Sequence, residues 1–287
     1  MFEGVLPAVI TPFQRNSSMD LDLPGLASNL EFLIENGVHG IVPCGSTGES
    51  ATLSFEEHET VIEKTIEVVN GRVPVIAGTG SNNTAEAVRF TQAAKDLGAD
   101  GVLVISPYYN KPNRSGLVKH YTILADLDIP VIVYNVPGRT GQNLPPDLVV
   151  ELAKHPNIVG IKEASGDIGQ ISRIIEGTLD EEFQVISGDD NLTFPILALG
   201  GSGVISVAAN VEPGRMVAMF EAFCESDFET ALDLHYELSP LFRSMFIDTN
   251  PIPVKKAVEL RGMAAGPVRL PLDELDHEKT SRLREVL

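Results

Sequence analysis

The chain has 287 residues, 43% of them hydrophobic, and its 40 acidic and 21 basic side chains leave a formal net charge of −19 at pH 7. This charge disfavours nucleic acid and anionic membrane surfaces as partners. The two cysteines, Cys44 and Cys224, lie far apart without a Cys-x-x-Cys motif, so neither a disulfide framework nor a zinc knuckle is expected. Because residues 1–4 show no basic and apolar leader and no later apolar run could span a bilayer, the sequence predicts a cytoplasmic protein.

Short apolar runs rich in β-branched residues recur along the chain and predict eight strands. The runs are Val5–Thr11, Gly40–Val42, Val73–Ala77, Gly101–Ile105, Pro130–Tyr134, Ile158–Lys162, Gln184–Ser187 and Gly203–Ser206. After the second run, Ser54 and Glu57 predict a capping box and Gly71 ends an amphipathic helix. Further helices are predicted at about 84–97, 116–125, 146–154, 168–176 and 213–224.

This alternation of strand and helix predicts an α/β fold with parallel strands. An open doubly wound sheet is the structural alternative, but eight units without a Gly-x-Gly-x-x-Gly turn after the first strand favour a (β/α)8 TIM barrel. The strand pattern stops near residue 226, and helices are predicted at 227–246, 251–261 and 272–287. We therefore expect a barrel over residues 1–225 and a C-terminal three-helix appendage over residues 226–287.

Two polar side chains, Tyr134 and Lys162, end consecutive predicted strands. Active sites of TIM barrels lie at the C-terminal ends of the strands, and neighbouring strands are about 4.8 Å apart, so these side chains are expected to meet. Desolvation there would lower the lysine pKa, and the neutral amine could form a Schiff base with a carbonyl. From position alone, a Lys162 that reaches solvent or pairs with Glu163 and a Tyr134 that only packs at the rim are the commoner arrangements.

Two loops could bind carboxylates at the same end of the barrel. Residues 44–49, Cys-Gly-Ser-Thr-Gly-Glu, offer hydroxyls and backbone N–H groups, although a plain turn is an equal alternative and the Gly-Lys-Ser/Thr ending of a P-loop is missing. Arg139, in the loop after Tyr134, suits bidentate capture of a carboxylate, although an exposed loop arginine is usually just solvated. The six histidines show no metal-ligand spacing, and no Gly-x-Ser-x-Gly motif occurs, so no metal is required and a hydrolase is disfavoured.

Five motifs in order along the chain carry a resemblance to a known family. They are Gly45–Ser50, Ser106–Pro112, Tyr134–Gly141, Gly160–Ser165 and Gly203–Ser206. Over essentially its whole length the chain resembles the family that contains the dihydrodipicolinate synthases and the N-acetylneuraminate lyases. The resemblance implies an enzyme without a cofactor that binds pyruvate as a Schiff base.

The resemblance also implies two sets of site residues. The catalytic set is an imine-forming lysine and three hydroxyl groups that relay protons: Lys162, Tyr134, Ser46 and Tyr109. The set that contacts the substrates is Thr47, Arg139, Gly188 and Ile205. Within these sets Tyr109 would serve the site of a neighbouring subunit, Thr47 would hold the pyruvate carboxylate, and Arg139 would anchor the carboxylate of aspartate 4-semialdehyde.

The implied reaction condenses pyruvate with aspartate 4-semialdehyde to 4-hydroxy-tetrahydrodipicolinate, which opens the route to diaminopimelate and lysine. Ser46 replaces the threonine usual in the synthases and matches the lyase branch, whereas Arg139 favours the synthases more strongly. One alternative is a pyruvate-dependent aldolase or lyase that acts on a 2-keto-3-deoxy sugar acid. A non-enzyme alternative is a barrel that senses pyruvate or lysine.

The resemblance finally implies a homo-oligomer, a tetramer built from tight dimers, and inhibition by lysine at a second site. The residues that match lysine-binding positions of inhibited relatives are Ser50, Ala51, His58, Asn82, Glu86 and Tyr108. Glu86 would be central, because the two ammonium groups of lysine need an anionic partner. Phe55 stands where inhibited relatives often have a histidine, so lysine is expected to bind more weakly here.

Overall fold

Seven parallel strands form one sheet in the structure, a computed structural model that describes residues 2–287. The strands are β1 (Gly4–Pro7), β2 (Ile76–Gly78), β3 (Gly101–Ile105), β4 (Val131–Asn135), β5 (Ile158–Glu163), β6 (Gln184–Ser187) and β7 (Gly203–Ser206). Their order in the sheet is β1-β7-β6-β5-β4-β3-β2. All the neighbours pair in parallel, as the alternation of strands and helices predicts.

The predicted second strand, Gly40–Val42, is present only as two isolated bridges that touch both edges of the sheet. Val42 bridges Ala8 beyond β1, and Ile41 bridges Val75 just before β2, both in parallel. The N–H of Val42 donates to the Pro7 carbonyl and the N–H of Ile76 to the Ile41 carbonyl, each at 2.9 Å. Prolines at positions 43 and 74 lack an N–H donor, which keeps these contacts too short to form a ladder.

Twelve α-helices accompany the strands within residues 2–287. They are α1 (Leu23–Glu35), α2 (Phe55–Val69), α3 (Thr84–Leu97), α4 (Arg114–Ala125), α5 (Pro137–Thr140), α6 (Pro146–Ala153), α7 (Ile168–Gly177), α8 (Thr193–Ala198), α9 (Pro213–Cys224), α10 (Phe228–Ser244), α11 (Ile252–Leu260) and α12 (His277–Arg284). The sequence did not predict α1, α5 or α8. The capping box is confirmed, because Ser54 Oγ accepts from the N–H of Glu57 and the Ser54 N–H donates to the Glu57 carboxylate.

Both faces of the sheet are buried, as is usual for parallel strands. Residues that alternate along the strands divide between two hydrophobic clusters. Val131 and Val133 pack under the helices, whereas Ile132 and Tyr134 belong to the cluster on the inner face. Side chains at the C-terminal ends of β4 and β5 therefore converge on the inner face.

The C-terminal region contains three helices, α10 to α12, after the last strand. Helix α10 packs against α9, and α11 packs against α12. Lys255 of α11 forms an ion pair of 2.7 Å with Glu49, which lies in the loop after residues 41–42. None of the helices in residues 2–287 is both long and apolar enough to cross a membrane.

Candidate active site

Lys162 and Tyr134 lie side by side near the C-terminal ends of β5 and β4. The register of the sheet pairs the two residues directly, and Lys162 Nζ lies 4.4 Å from the centroid of the Tyr134 ring. Only 5% of Lys162 and 7% of Tyr134 is exposed. The structure therefore brings together the two residues that end consecutive predicted strands.

Burial sets the protonation of both groups. Desolvation lowers the pKa of Lys162 to about 7, with nearby Arg139 acting in the same direction and the Asp190 carboxylate opposing it. A large fraction of this lysine is thus the free amine, the nucleophilic form, near neutral pH. Burial raises the pKa of Tyr134 to about 12, so its hydroxyl keeps its proton.

Glu163 does not pair with Lys162, because it lies on the other face of β5. Its carboxylate accepts hydrogen bonds from the amides of Asn135, at 3.0 and 3.2 Å, and Gln170, at 3.2 Å. The N–H of Ser165 donates to it at 2.6 Å. Glu163 is 1% exposed, and these neutral donors replace the water that a buried carboxylate loses. The ion pair between Lys162 and Glu163, which the sequence allowed as an alternative, is therefore wrong.

A cavity of about 130 Å³ borders the Lys162 side chain, and Thr47, Tyr134, Arg139 and Gly188 also line it. Position 188 has no room for a side chain, since a Cβ there would lie 2.7 Å from Ala164 Cβ and 3.1 Å from Lys162 Cε. The cavity suits a ligand of a few heavy atoms. A small carbonyl compound bound in this cavity would lie beside the free amine of Lys162.

Ile205 lies apart from this cavity wall. It is fully buried in the hydrophobic cluster on the inner face, on strand β7. Gly203, two residues earlier on the same strand, adopts a φ of +156° and approaches the backbone of Gly4. The structure thus places Ile205 in the core beneath the site rather than among the residues that line the cavity.

The loop with Ser46 and Thr47 is fixed by several hydrogen bonds. The N–H of Gly48 donates to the Gly45 carbonyl at 3.0 Å, and the Thr11 hydroxyl donates to the Gly48 carbonyl at 2.7 Å. Thr47 is 3% exposed and accepts a hydrogen bond of 3.0 Å from the side-chain amide of Asn250. Ser46 is half-buried and lines both this cavity and a larger one.

Arg139 lies at the mouth of the cavity, in the short helix α5. Its side chain is exposed, and Nη2 donates to the Asn250 carbonyl at 2.9 Å. A guanidinium in this position can still offer its remaining donors to a carboxylate. The structure therefore groups Arg139 with Lys162, Tyr134, Ser46, Thr47 and Gly188.

Tyr109 is the one predicted catalytic residue that lies away from Lys162 within the chain. It is 89% exposed, with a φ of +71°, and it lines neither cavity. Its N–H lies 3.4 Å from the Thr140 carbonyl. A tyrosine so exposed on a strained loop has no partner within residues 2–287 that would explain its position.

The larger cavity, of about 600 Å³, adjoins the smaller one and shares part of its lining. Ser46, Tyr134, Arg139 and Asn250 line both. Five of the six residues predicted for a lysine site line the larger cavity: Ser50, Ala51, His58, Glu86 and Tyr108. The sixth, Asn82, lies beside the cavity, where its amide donates to the Tyr108 carbonyl at 3.1 Å.

The larger cavity is bordered by an acidic side chain, a neutral histidine and a pair of aromatic rings. Glu86 accepts a hydrogen bond of 2.9 Å from the Ser81 hydroxyl. His58 Nε2 lies 2.8 Å from the Gly78 carbonyl, and desolvation lowers the pKa of this histidine to about 4, so it is neutral. Phe55 stacks on Phe90, with ring centroids 4.9 Å apart, under the guanidinium of Arg89.

Sequence reasoning missed two residues that contact the site. Asp190 is buried, its charge raises the pKa of Lys162, and it accepts from the Ser206 hydroxyl at 2.5 Å and from the N–H groups of Val207 and Ala208. Asn250 holds Thr47 with its side chain and Arg139 with its carbonyl. Asp190 follows β6, a position that could have suggested it, whereas Asn250 lies in no motif of the barrel.

Comparison with known proteins agrees with this geometry. The family model described as Dihydrodipicolinate synthetase family matches residues 1–287. A 4-hydroxy-tetrahydrodipicolinate synthase from Methanoculleus marisnigri is 76% identical over 287 residues, which is 100% of this chain and 99% of that protein.

Two solved structures have nearly the same fold. Dihydrodipicolinate synthase from Aquifex aeolicus superposes with a TM-score of 0.96 at 48% identity, covering 99% of this chain and 97% of that one. The enzyme from Cyanidioschyzon merolae with lysine bound gives a TM-score of 0.96 at 40% identity, with the same coverage of 99% and 97%. On this match over its whole length, the chain belongs to the dihydrodipicolinate synthetase family.

Proposed function

We propose that this chain is a 4-hydroxy-tetrahydrodipicolinate synthase, which condenses pyruvate with aspartate 4-semialdehyde on the way to diaminopimelate and lysine. The observation that carries the proposal is the buried Lys162, whose pKa of about 7 leaves a free amine beside Tyr134 in a small cavity. The 76% identity to a synthase over the whole chain supports the same activity.

In this mechanism the amine of Lys162 attacks the keto carbon of pyruvate, and loss of water leaves an imine. Removal of a methyl proton converts the imine to an enamine, whose carbon adds to the aldehyde of the second substrate. The adduct cyclises through its amino group and releases Lys162. The pKa of Tyr134, about 12, keeps its hydroxyl protonated at neutral pH. This hydroxyl acts as proton donor and acceptor in these steps.

The remaining site residues hold the two substrates. Thr47 binds the carboxylate of pyruvate, and Gly188 leaves room for the imine beside Lys162. Arg139, at the cavity mouth, binds the carboxylate of aspartate 4-semialdehyde as a bidentate partner. Ile205 supports the floor of the site from the buried inner cluster.

Ser46 and Tyr109 complete the proton relay in an oligomer. Tyr109 is 89% exposed on its own chain, so we assign it to the site of a neighbouring subunit in a tight dimer. Two such dimers form a tetramer in this proposal. In this proposal the enzyme acts in the cytoplasm, where the thiols of Cys44 and Cys224 would stay reduced.

The fold in this proposal is a closed (β/α)8 barrel over residues 1–225 with a helical extension over residues 226–287. Residues 40–42 are its eighth strand, since their hydrogen bonds reach both β1 and β2. TM-scores of 0.96 to dihydrodipicolinate synthase structures support a common architecture.

The proposed regulatory ligand is lysine, bound by Ser50, Ala51, His58, Asn82, Glu86 and Tyr108. A relative has been solved with lysine bound. The half-buried Glu86 lines the large cavity and supplies the charge that an ammonium group requires. Phe55 replaces a polar contact with an aromatic ring, so binding is weaker than in inhibited relatives.

The test of the activity offers aspartate 4-semialdehyde and 2-keto-3-deoxygluconate in parallel to wild type and Arg139→Ala. Wild type should turn over the semialdehyde, and the variant should lose kcat/KM for it by about 100-fold, because a bidentate ion pair touches only this substrate. Borohydride trapping of pyruvate on Lys162 should persist in the variant. Efficient cleavage of the sugar acid, unaffected by the substitution, would instead identify a lyase.

Lysine titration tests the regulatory proposal separately. Millimolar lysine should slow wild type, and Glu86→Ala should be insensitive because the ammonium group loses its anionic partner. Glu63→Ala, a change on the exposed side of α2, serves as the control. Rates that stay constant in wild type up to high millimolar lysine would remove this site.

A further inference from the structure

Asn250 occupies the junction of the two cavities and contacts both of the proposed carboxylate-binding residues. Its side-chain amide donates to Thr47 Oγ1 at 3.0 Å, and its backbone carbonyl accepts from Arg139 Nη2 at 2.9 Å. The residue is 5% exposed and lies just after α10, far from the barrel loops in the sequence. A buried polar side chain in this position can influence how both substrates are held.

The direction of the hydrogen bond to Thr47 follows from the cost of burial. With Nδ2 facing Thr47, the acceptor Oδ1 is buried without a partner, and one of the two amide N–H groups is satisfied. The opposite orientation would bury an NH2 group with two unsatisfied donors instead. Buried donors without a partner are rarer than under-satisfied carbonyl oxygens, so Asn250 is the donor.

A donor at Asn250 leaves the proton of the Thr47 hydroxyl available. The hydroxyl oxygen accepts from Asn250, and Thr47 donates to no acceptor among residues 2–287. Thr47 lines the cavity of about 130 Å³ that also holds Lys162. Its O–H is therefore free to donate to an acidic ligand in that cavity.

We propose that Asn250 is a positioning residue that orients the Thr47 hydroxyl so that its proton meets the carboxylate of the keto acid bound at Lys162. The proposal rests on the proposed function, because it concerns how pyruvate is held. The second substrate is not affected by the side chain of Asn250, since Arg139 is held by the backbone carbonyl, which every substitution retains. Loss of the Asn250 side chain should therefore weaken the binding of pyruvate and leave the KM for the aldehyde nearly unchanged.

The experiment compares wild type, Asn250→Ala, Thr47→Val and the double variant in the full chain. The readouts are the pyruvate concentration that half-saturates borohydride trapping of Lys162 and the KM for each substrate. Asn250→Ala should raise the half-saturating pyruvate concentration by about tenfold, the loss typical of one weakened hydrogen bond to a charged group. The KM for the aldehyde should stay within about twofold. In the Thr47→Val background the same change should have less than about a twofold effect.

Asn250→Asp preserves the shape of the side chain and guards against misfolding of the alanine variant. The ionised carboxylate that this substitution introduces can only accept, so it draws the Thr47 proton away from the ligand, and pyruvate binding should weaken more than in Asn250→Ala. Unchanged trapping in both variants, equal losses for both substrates, or an undiminished effect in the Thr47→Val background would each overturn the role of Asn250. A wild type that pyruvate does not label at all would overturn the proposed function together with it.

Discussion

Lys162 is nucleophilic because strand β5 places its side chain on the buried inner face of the sheet. Alternation along the strand points Lys162 to the buried inner face and Glu163 to the opposite face, where neutral amides hold its carboxylate. The carboxylate that raises the lysine pKa, Asp190, is already bonded to Ser206 and two N–H groups. Desolvation therefore exceeds ion pairing, and the pKa falls to about 7.

We predict that borohydride trapping of pyruvate on Lys162 depends on pH with a midpoint near 7. Only the free amine attacks the keto group, so the trapping rate should rise with pH, level off above about 8 and fall about tenfold per unit below 6. Peptide mass spectrometry at each pH measures the label on Lys162. The exposed Lys154 provides an internal comparison, and a midpoint near 10 for Lys162 would contradict the buried environment.

Sequence reasoning found the reacting pair but could not find its supports. Tyr134 and Lys162 end two consecutive apolar runs, and the register that joins them follows from local pattern. Asn250 contacts Thr47 across 203 residues of sequence, and no periodicity or motif records such a contact. The exposure of Tyr109 likewise follows no pattern in the sequence, and the proposed dimer would account for it.

At the scale of elements, a buried ion pair joins the Thr47 loop to helix α11. Lys255 Nζ lies 2.7 Å from Glu49, and both side chains are at most 2% exposed. The same ammonium donates to the carbonyls of Thr11 and Pro267, while the N–H of Arg269 donates to the second Glu49 oxygen. This network fixes the far end of the loop that carries Ser46 and Thr47.

We predict that Glu49→Gln lowers the free energy of unfolding by roughly 3–5 kcal/mol, because removal of one partner leaves a buried ammonium group without its counter-ion. Urea unfolding measures the loss. Glu151→Gln, which breaks the exposed ion pair with Arg114, is the matched control and should leave the urea midpoint close to that of wild type, because exposed ion pairs add little stability. The double variant Glu49→Gln with Lys255→Met should recover part of the loss. Similar stability for Glu49→Gln and the control would show that the pair does not hold the loop.

The elements that the sequence predicted are those with a long amphipathic period. Helix α1 was missed although Leu26, Leu30 and Leu33 are all buried on one side of it, because Pro24-Gly25 near its start is typical of a turn. Helix α8 has only six residues and contains Pro195, too few for a period to emerge. The predicted strand at 40–42 is the shortest of the eight apolar runs. It forms only two isolated bridges, one to each edge of the sheet.

At the scale of the whole molecule, the position of Tyr109 predicts that two inactive variants can complement each other. Tyr109→Phe and Lys162→Ala should each have little activity alone. When they are refolded together, a mixed dimer should contain one site with an intact Lys162 and an intact Tyr109 from the other subunit. Random pairing then restores about a quarter of wild-type activity, as expected for a two-fold symmetric pair.

The control for this prediction mixes Tyr134→Phe with Lys162→Ala. These two residues touch within one chain, so no arrangement of subunits can repair a site. No recovery in the Tyr109 mixture, despite mixed dimers seen by native mass spectrometry, would place Tyr109 in its own site or outside catalysis. Recovery in the control mixture would show that the rescue does not depend on a shared site.

The residues that hold the Thr47 loop are among the last that the ribosome adds to the chain. Asn250, Lys255 and Arg269 all follow the last strand of the sheet, which ends at Ser206. A ribosome that adds about 5–20 residues per second needs roughly 3–13 s to pass from the end of the sheet to Arg269. During that interval the residues of the sheet and Lys162 have been synthesised, but not all the residues that hold the Thr47 loop. The Thr47 loop can therefore be fixed only after all the strands of the sheet have been made.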